Sequence, residues 1–186
     1  MAGHFIEALA LACISVSCGT KSTMEFGKGL DVPYVQTPEP VVRAMLELGR
    51  VAPGEMVIDL GCGDGRMAVM AARDFGARAI GYDLDPTRVA EARDSARRAG
   101  VADRARFEVS DVLTADISRA DVVVMYLIPM LIESLKPRLL SELGAETRVV
   151  SHSFPIRDWL AERTIVAEGR TLYLYRVPAR VPLRVR

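Results

Sequence analysis

The chain has 186 residues, of which 50% are apolar, and its 24 basic side chains balance its 24 acidic ones. This length suits one domain with one substantial hydrophobic core, and the equal charges argue against a basic surface built for nucleic acid. Its three cysteines, Cys13, Cys18 and Cys62, and its two histidines, His4 and His152, lack the spacing of a zinc site or a disulfide framework, so we expect no bound metal.

Residues 1–30 are predicted to form an apolar segment and a polar linker, ahead of a folded domain at residues 31–186. The apolar run at residues 8–16 is too short to span a bilayer and is typical of the core of a secretion signal. It follows Glu7 and no Lys or Arg, which argues against export. We expect a cytoplasmic protein, with membrane association or export through residues 8–18 as the alternative.

The first helix of the domain is predicted to start at Thr37 and Pro38, a pair typical of an N-cap and a first helical residue. Apolar residues recur at helical spacing as far as Leu48. Tyr34 lies just before this helix in a loop stiffened by Pro33, where its ring could close over a ligand. The alternative is a segment that only packs against the sheet.

A short buried strand is predicted at residues 56–60, followed by a glycine turn and a helix from Arg66. Glycines lack a Cβ atom, so their backbone adopts positive φ and comes close to a flat ligand. The N-terminus of the helix also offers free N–H groups. The alternative is a tight connection without a ligand. The glycines of the turn are Gly61, Gly63 and Gly65.

A second strand at residues 78–83 ends in Asp83, about twenty residues after the glycines. Nucleoside-binding doubly wound folds place a carboxylate for the ribose hydroxyls at this spacing. Asp83 could instead cap the next helix, but Asp85 followed by Pro86 fits that position better. We therefore expect Asp83 to bind a ribose.

Further along the chain, a helix at residues 86–99 and a strand at 105–109 lead to Asp111, which is placed to accept a hydrogen bond from an adenine amine. The most apolar strand, at residues 121–125, ends at Tyr126. Ligands of open α/β sheets lie beyond the strand carboxyl ends where the strand order reverses. Tyr126 is therefore the first candidate for contact with a substrate, and a core tyrosine is the alternative.

The last third of the chain is predicted to complete the sheet. A helical stretch at residues 130–143 contains Pro137, which is expected to kink or split it. A strand at residues 147–151 is followed by a loop that starts with His152. A final hairpin would place one antiparallel strand in the sheet. Its two strands are predicted at residues 164–167 and 171–177.

The composition of the glycine turn favours S-adenosylmethionine over a dinucleotide. Arg66 stands where a dinucleotide fold needs a small residue for its helix to pack over a pyrophosphate. Asp59 and Asp64 place negative charge on both sides of the turn, which would repel a pyrophosphate and attract the α-ammonium group of a methionine.

Three motifs in order resemble those of class I S-adenosylmethionine-dependent methyltransferases. They are Asp-Leu-Gly-Cys-Gly-Asp-Gly at residues 59–65, Gly-Tyr-Asp-Leu-Asp-Pro at 81–86 and Phe-Glu-Val-Ser-Asp at 107–111. The resemblance implies a Rossmann-like α/β fold of three layers, with a seven-stranded sheet in the order 3-2-1-4-5-7-6 and strand 7 antiparallel. It implies S-adenosyl-L-methionine as cofactor and S-adenosyl-L-homocysteine as product.

By that resemblance, Asp59 and the turn hold the methionine end of the cofactor, Asp83 holds the ribose and Asp111 the adenine. The full set of expected cofactor contacts is Tyr34, Thr37, Asp59, Gly61, Gly63, Asp64, Asp83, Leu84, Asp111 and Val112.

A second resemblance concerns the acceptor. Residues 32–35, 126–129, 139–143 and above all 148–159 are similar to the lysine methyltransferases that modify adenine nucleotide translocase and the ATP synthase c-subunit, and to their prokaryotic relatives. This implies protein-lysine N-methylation. The signature Asn/Asp-Pro-Pro-Tyr is missing after the fourth strand, which argues against an enzyme that modifies nucleic-acid bases.

Tyr126 and His152 are the expected catalytic residues. With Trp159 they could shape a lysine channel through aromatic contact to an ammonium group. Two other functions stay open at this stage, a small-molecule N- or O-methyltransferase and a module that binds the donor without turnover.

Overall fold

The structure of this protein is a computed structural model that describes residues 35–179. Tyr34, the segment at residues 1–30 and the expected domain start at residue 31 lie outside them. The elements are, in chain order, α1 (Glu39–Leu48), β1 (Met56–Leu60), α2 (Arg66–Asp74), β2 (Arg78–Asp83), α3 (Pro86–Arg98), β3 (Ala105–Val109), β4 (Val122–Met125), α4 (Pro129–Glu142), β5 (Arg148–His152), β6 (Arg163–Ala167) and β7 (Arg170–Arg176).

The strands form one seven-stranded sheet in the order β3-β2-β1-β4-β5-β7-β6. Strands β1 to β5 run parallel to one another, and β7 lies antiparallel between β5 and β6. This confirms the predicted topology. The strand order reverses at β1 and β4, so the loops after these two strands separate at the carboxyl edge of the sheet and leave room for a ligand.

Helices cover both faces of the sheet, as a three-layer fold requires. Helices α1, α2 and α3 bury their apolar faces on one side, and α4 buries its own on the other. Side chains alternate along each strand: Val57 packs with the first group of helices and Ile58 with α4. Asp59, two residues after Val57, therefore points to the side of α1, α2 and α3.

Helix termini show one confirmed cap and one wrong prediction. Asp85 caps α3, with its carboxylate accepting the Thr87 N–H at 2.8 Å, as predicted. Helix α1 starts at Glu39 with Pro38 at the N-cap and no side-chain cap, so Thr37 does not cap it. Thr37 is instead buried, and its carbonyl accepts a hydrogen bond from Arg66.

Two further differences concern the last third of the chain. Pro137 does not split α4, because Ile132, Leu135 and Leu139 hold one apolar face against the sheet. His152 is the last residue of β5 and not the first of a loop, because its pairing with Leu172 of β7 extends the ladder. No helix within residues 35–179 has the length and apolar composition needed to cross a membrane.

A substitution at Gly81 in β2 tests how tightly β3 and the glycine turn pack against this strand. A Cβ atom at Gly81 would lie 2.6 Å from Phe107 and 2.7 Å from Cys62, which follows the first glycine of the turn. We expect Gly81→Ala to lower the free energy of unfolding by about 1–3 kcal/mol through overpacking. Urea denaturation measures the change.

Gly144→Ala is the matched control, because a Cβ atom there meets nothing closer than Thr147 Oγ1 at 3.6 Å. It should change the free energy of unfolding by less than about 0.5 kcal/mol. Equal urea midpoints for the two variants would contradict the packing described around Gly81.

Candidate active site

The turn after β1 brings bare backbone to the carboxyl edge of the sheet. Gly61, Gly63 and Gly65 have φ values of 78°, 53° and 81°, a region that side chains with a Cβ atom rarely adopt. The Tyr82 carbonyl in β2 accepts the N–H groups of both Gly61 and Cys62 at 2.9 Å. These bonds attach the start of the turn to the neighbouring strand, so its position does not depend on a ligand.

Asp83, at the end of β2, attaches the middle of the same turn. Its Oδ2 atom accepts the Gly63 N–H at 2.8 Å, and its Oδ1 atom accepts the Asp85 N–H at 3.0 Å. The carboxylate is half-buried, and each oxygen retains lone-pair capacity for a further donor. Asp83 can therefore hold the turn and receive ligand hydroxyl groups at the same time.

Asp59 is the most unusual group of the site. The residue is 1% exposed, and neither carboxylate oxygen has a hydrogen-bond partner among residues 35–179. Burial, and after it the negative charges of Asp83 and Asp64, raise the pKa of Asp59 to about 8. The nearby Ala68 N–H acts in the opposite direction, although it makes no hydrogen bond to either oxygen. A buried carboxylate without a partner is costly. A cationic ligand group would supply the missing partner.

Unlike Asp59, Asp64 has a side-chain partner. This changes the expectation that both aspartates attract the α-ammonium group of a methionine. Arg66 Nε donates to Asp64 Oδ1 at 2.9 Å, and the same guanidinium donates to the Thr37 carbonyl at 2.8 Å. The pair neutralises much of the Asp64 charge and joins the segment before α1 to the glycine turn. Asp59 is therefore the aspartate of this turn whose carboxyl group still lacks a partner among residues 35–179.

The residues predicted around an adenine lie at the ends of β2 and β3. Asp83 is in register with Val109, two residues before Asp111. Asp111 Oδ1 accepts the Leu113 N–H at 2.8 Å, which fixes the orientation of its carboxylate. Val112 is buried, whereas Leu84 is 55% exposed. Leu84 thus presents apolar surface beside Asp83, and a flat base could cover it.

The loop after β4 faces the glycine turn, as the reversal of strand order predicts. A Cβ atom on Gly61 would lie 2.8 Å from Leu127 Cδ2, so Leu127 packs directly on the turn. The positive φ of Gly61 is the reason that this position favours glycine. Sequence reasoning missed Leu127. Its position immediately after Tyr126 was the available signal.

Tyr126 and His152 lie together on the other side of that loop. Their ring centroids are 3.9 Å apart with the rings tilted by 54°, and the Phe154 ring stacks 6.4 Å from Tyr126. His152 is 1% exposed and Tyr126 is half-buried. Trp159 is not part of this group, since it packs against Tyr175, 5.4 Å away, in the core on the α4 side. Phe154 is the aromatic residue that sequence reasoning missed.

The turn and the three acidic strand ends fit a nucleoside, but a pyrophosphate would bring negative charge to three carboxyl groups and leave Asp59 without a cationic partner. A sulfonium nucleoside that carries an ammonium group suits both Asp59 and Asp83. With β7 antiparallel between β5 and β6, the site and fold are those of the class I S-adenosylmethionine-dependent methyltransferases.

Within that class, the chain belongs to one family. The model of the ANTKMT methyltransferase domain matches residues 59–163, which include the glycine turn, Tyr126 and His152. This confirms the second resemblance described above.

The chain is 45% identical over 149 residues to a protein-lysine N-methyltransferase of Saccharolobus islandicus, covering 77% of this chain and 92% of that protein. It is 39% identical over 141 residues to the adenine nucleotide translocase lysine N-methyltransferase of Mus musculus. That match covers 75% of this chain but 60% of the mouse protein.

A solved structure is similar over most of the chain. The RNA methyltransferase of Salinibacter ruber in complex with S-adenosyl-L-homocysteine superposes with a TM-score of 0.77 at 44% identity, covering 82% of this chain and 99% of that one. The fold therefore holds the product of methyl transfer in a protein of similar sequence.

Asp59→Asn tests the unbalanced charge. Because the pKa of Asp59 is raised to about 8 in the folded protein, the folded state keeps a proton that the unfolded chain releases above about pH 4. Without cofactor, the free energy of unfolding therefore falls as pH rises from about 4 to about 8. The amide cannot ionise. At pH 7.5 we expect Asp59→Asn to melt several degrees higher than the wild type without cofactor and to bind S-adenosylmethionine more weakly.

Thermal melts at pH 5 and pH 7.5 measure the first effect, and calorimetry measures the second. Asp103→Asn, at an exposed aspartate before β3, is the control and should change neither. A lower melting temperature for Asp59→Asn at pH 7.5 would show that the buried Asp59 carboxyl group does not reduce the stability of the folded protein.

Proposed function

We propose that this enzyme methylates the ε-amino group of lysine residues in proteins. The observation that carries the proposal is the 45% identity to a protein-lysine N-methyltransferase over 92% of that protein's length. The mouse and Xenopus laevis relatives, named for lysines of adenine nucleotide translocase and of the ATP synthase c-subunit, support it. The names of these relatives give different substrate proteins, but each of them gives lysine as the methylated residue.

The donor site follows from the contacts described above. Asp59 would hold the α-ammonium group of S-adenosylmethionine, Asp83 its ribose hydroxyls, and Asp111 its adenine. The remaining contacts that we propose are Tyr34, Thr37, Gly61, Gly63, Asp64, Leu84 and Val112. When bound, the cofactor would supply an electrophilic methyl group that is bonded to a sulfonium sulfur. The sulfur keeps the electron pair of that bond when the methyl group is transferred.

Tyr126 is the proposed first contact of the acceptor. It follows β4 directly, and it is half-buried. The next residue, Leu127, packs against the glycine turn. A lysine ammonium group that reaches the ring is attracted by its π face. Desolvation there lowers the pKa of the lysine and favours the neutral amine, which is the nucleophile.

The proposed reaction needs neither a strong base nor a metal. The methyl group is already activated by the sulfonium charge, so the protein's work is to align the amine and to exclude water. The amine nitrogen becomes positively charged as it forms its new bond, and its surplus proton passes to solvent. We propose that this takes place in the cytoplasm, where the donor is made.

RNA is a second candidate acceptor, because the Salinibacter ruber protein that is 44% identical is called an RNA methyltransferase. Two observations favour protein. The chain has 24 basic and 24 acidic residues, so it lacks a general excess of positive charge. Tyr126 is also followed by Leu127, Ile128 and Pro129 instead of the signature of base-modifying enzymes.

Transfer of labelled methyl groups identifies the acceptor class. Purified enzyme is incubated with methyl-labelled donor and an extract from cells that lack this enzyme, which is then separated into protein, RNA and small molecules. We expect the label in the protein fraction, resistant to ribonuclease, and mass spectrometry should place it on lysine. Label confined to RNA or to small molecules would refute the proposal.

Asp83→Ala tests the donor site. It removes the charged hydrogen bonds to the ribose and releases the Gly63 N–H, so we expect donor binding to weaken by about 1–3 kcal/mol. Calorimetry with S-adenosylhomocysteine measures the change, with Asp103→Ala as the control. Unchanged affinity in Asp83→Ala would remove Asp83 from the site.

A further inference from the structure

The His152 imidazole has no hydrogen-bond partner from the part of the chain that the structure describes. The residue is 1% exposed, and both Nδ1 and Nε2 are buried without a partner. On the backbone, its carbonyl accepts the Phe154 N–H at 2.8 Å, and the residue lies opposite Leu172 in the sheet. Two buried ring nitrogens without a partner are rare for a buried side chain.

The position of the ring connects it to the proposed acceptor site. Met125 is in register with Ser151, so Tyr126 and His152 occupy the next level of the sheet, at its carboxyl edge. Val124 and Val150 belong to the core on the side of α1, α2 and α3. By alternation, Tyr126 and His152 point to the same side as Asp59.

The surroundings hold the ring in one orientation. Tyr126 lies against it at 3.9 Å, and Ser153 follows it with a φ of 65°, a conformation that is unfavourable for a residue other than glycine. Ser153 N–H donates to the Thr171 carbonyl at 2.8 Å, and Ser151 Oγ donates to the Phe154 carbonyl at 2.6 Å. These bonds maintain the strained turn after β5.

We propose that His152 binds the acceptor amine directly, its unprotonated ring nitrogen accepting one N–H of the neutral lysine ε-amino group. The proposal rests on the proposed function and extends it by naming a residue and the protonation state of the substrate that it selects. His152 is then a catalytic residue, since it touches the nucleophile.

The chemistry of the amine explains why an acceptor is required. A neutral amine has a lone pair and two N–H groups, and the lone pair must stay free to attack the methyl group. A group that accepts an N–H orients the lone pair without using it, whereas a donor would occupy it. Neutral imidazole has one accepting nitrogen. A carboxylate in its place would favour the unreactive ammonium form.

The electrostatic environment keeps His152 in the state that this role needs. Burial, and after it the positive charge of Arg170 at the start of β7, lower the pKa of His152 to about 4. The ring is therefore neutral at physiological pH, and it is too weak a base to retain the proton that the amine later loses.

Three substitutions at position 152 test the proposal. Gln and Asn keep a hydrogen-bond acceptor near the place of one ring nitrogen or the other, and Leu fills similar space without one. We expect His152→Leu to lose roughly tenfold or more of the methylation rate. The better placed of His152→Gln and His152→Asn should recover a clear part of that rate.

The measurements are rates of methyl transfer to a dialysed protein extract from cells lacking this enzyme, S-adenosylhomocysteine affinity by calorimetry, and melting temperature. Cofactor affinity should stay within about twofold in all three variants. His152→Leu should melt at the same or a higher temperature, because it removes two buried groups without partners.

Two results would overturn the role of His152. One is a wild-type rate in His152→Leu; the other is equal loss of rate and of melting temperature in all three variants, which indicates a structural role. The result for the wild type distinguishes a failure of the His152 role from a failure of the proposed function. If the wild type transfers no label to protein, both proposals fail; if wild type and His152→Leu transfer it equally, only the role of His152 fails.

Discussion

The reversal of strand order between β1 and β4 is the constraint on which the rest of this site depends. Because β1 to β5 run in the same direction, their carboxyl ends lie at one edge of the sheet, and the reversal leaves the loops after β1 and β4 facing each other. The glycine turn and Leu127 meet across this opening. The proposed donor contacts extend from it toward β2 and β3, and the aromatic group extends toward β5, which places the two proposed substrate sites on opposite sides of the opening.

Among residues 35–179, two buried polar side chains without hydrogen-bond partners flank this opening, and their pKa values are shifted in opposite directions. Burial and the nearby carboxylates raise the pKa of Asp59, which suits a cationic ligand, whereas burial and Arg170 lower the pKa of His152, whose ring stays neutral. Each should reduce the stability of the cofactor-free protein, because a polar group is buried without compensation. Stability given up at a binding site is common in enzymes, since ligands supply the missing interactions.

The contacts of Asp64 and Thr37 show how the donor side is organised before any ligand arrives. Arg66 neutralises Asp64 and holds the Thr37 carbonyl, so the segment before α1 is joined to the turn. Asp83 and Tyr82 hold the turn from β2. Rigid support of this kind lowers the entropic cost of binding. The names of the relatives differ in the substrate protein, which fits a shared donor side with variation around the acceptor.

The sequence by itself determined the order of the sheet through its family resemblance, the bounds of β1, β2 and β3, and the Asp85 cap. These follow from local apolar patterns and turn chemistry, which act over a few residues. Only the tertiary structure decided that Arg66 neutralises Asp64, that His152 belongs to β5, and that Leu127 and Phe154 join the site. Each depends on segments far apart in the chain, and whether a polar side chain finds a partner is decided only when those segments pack together.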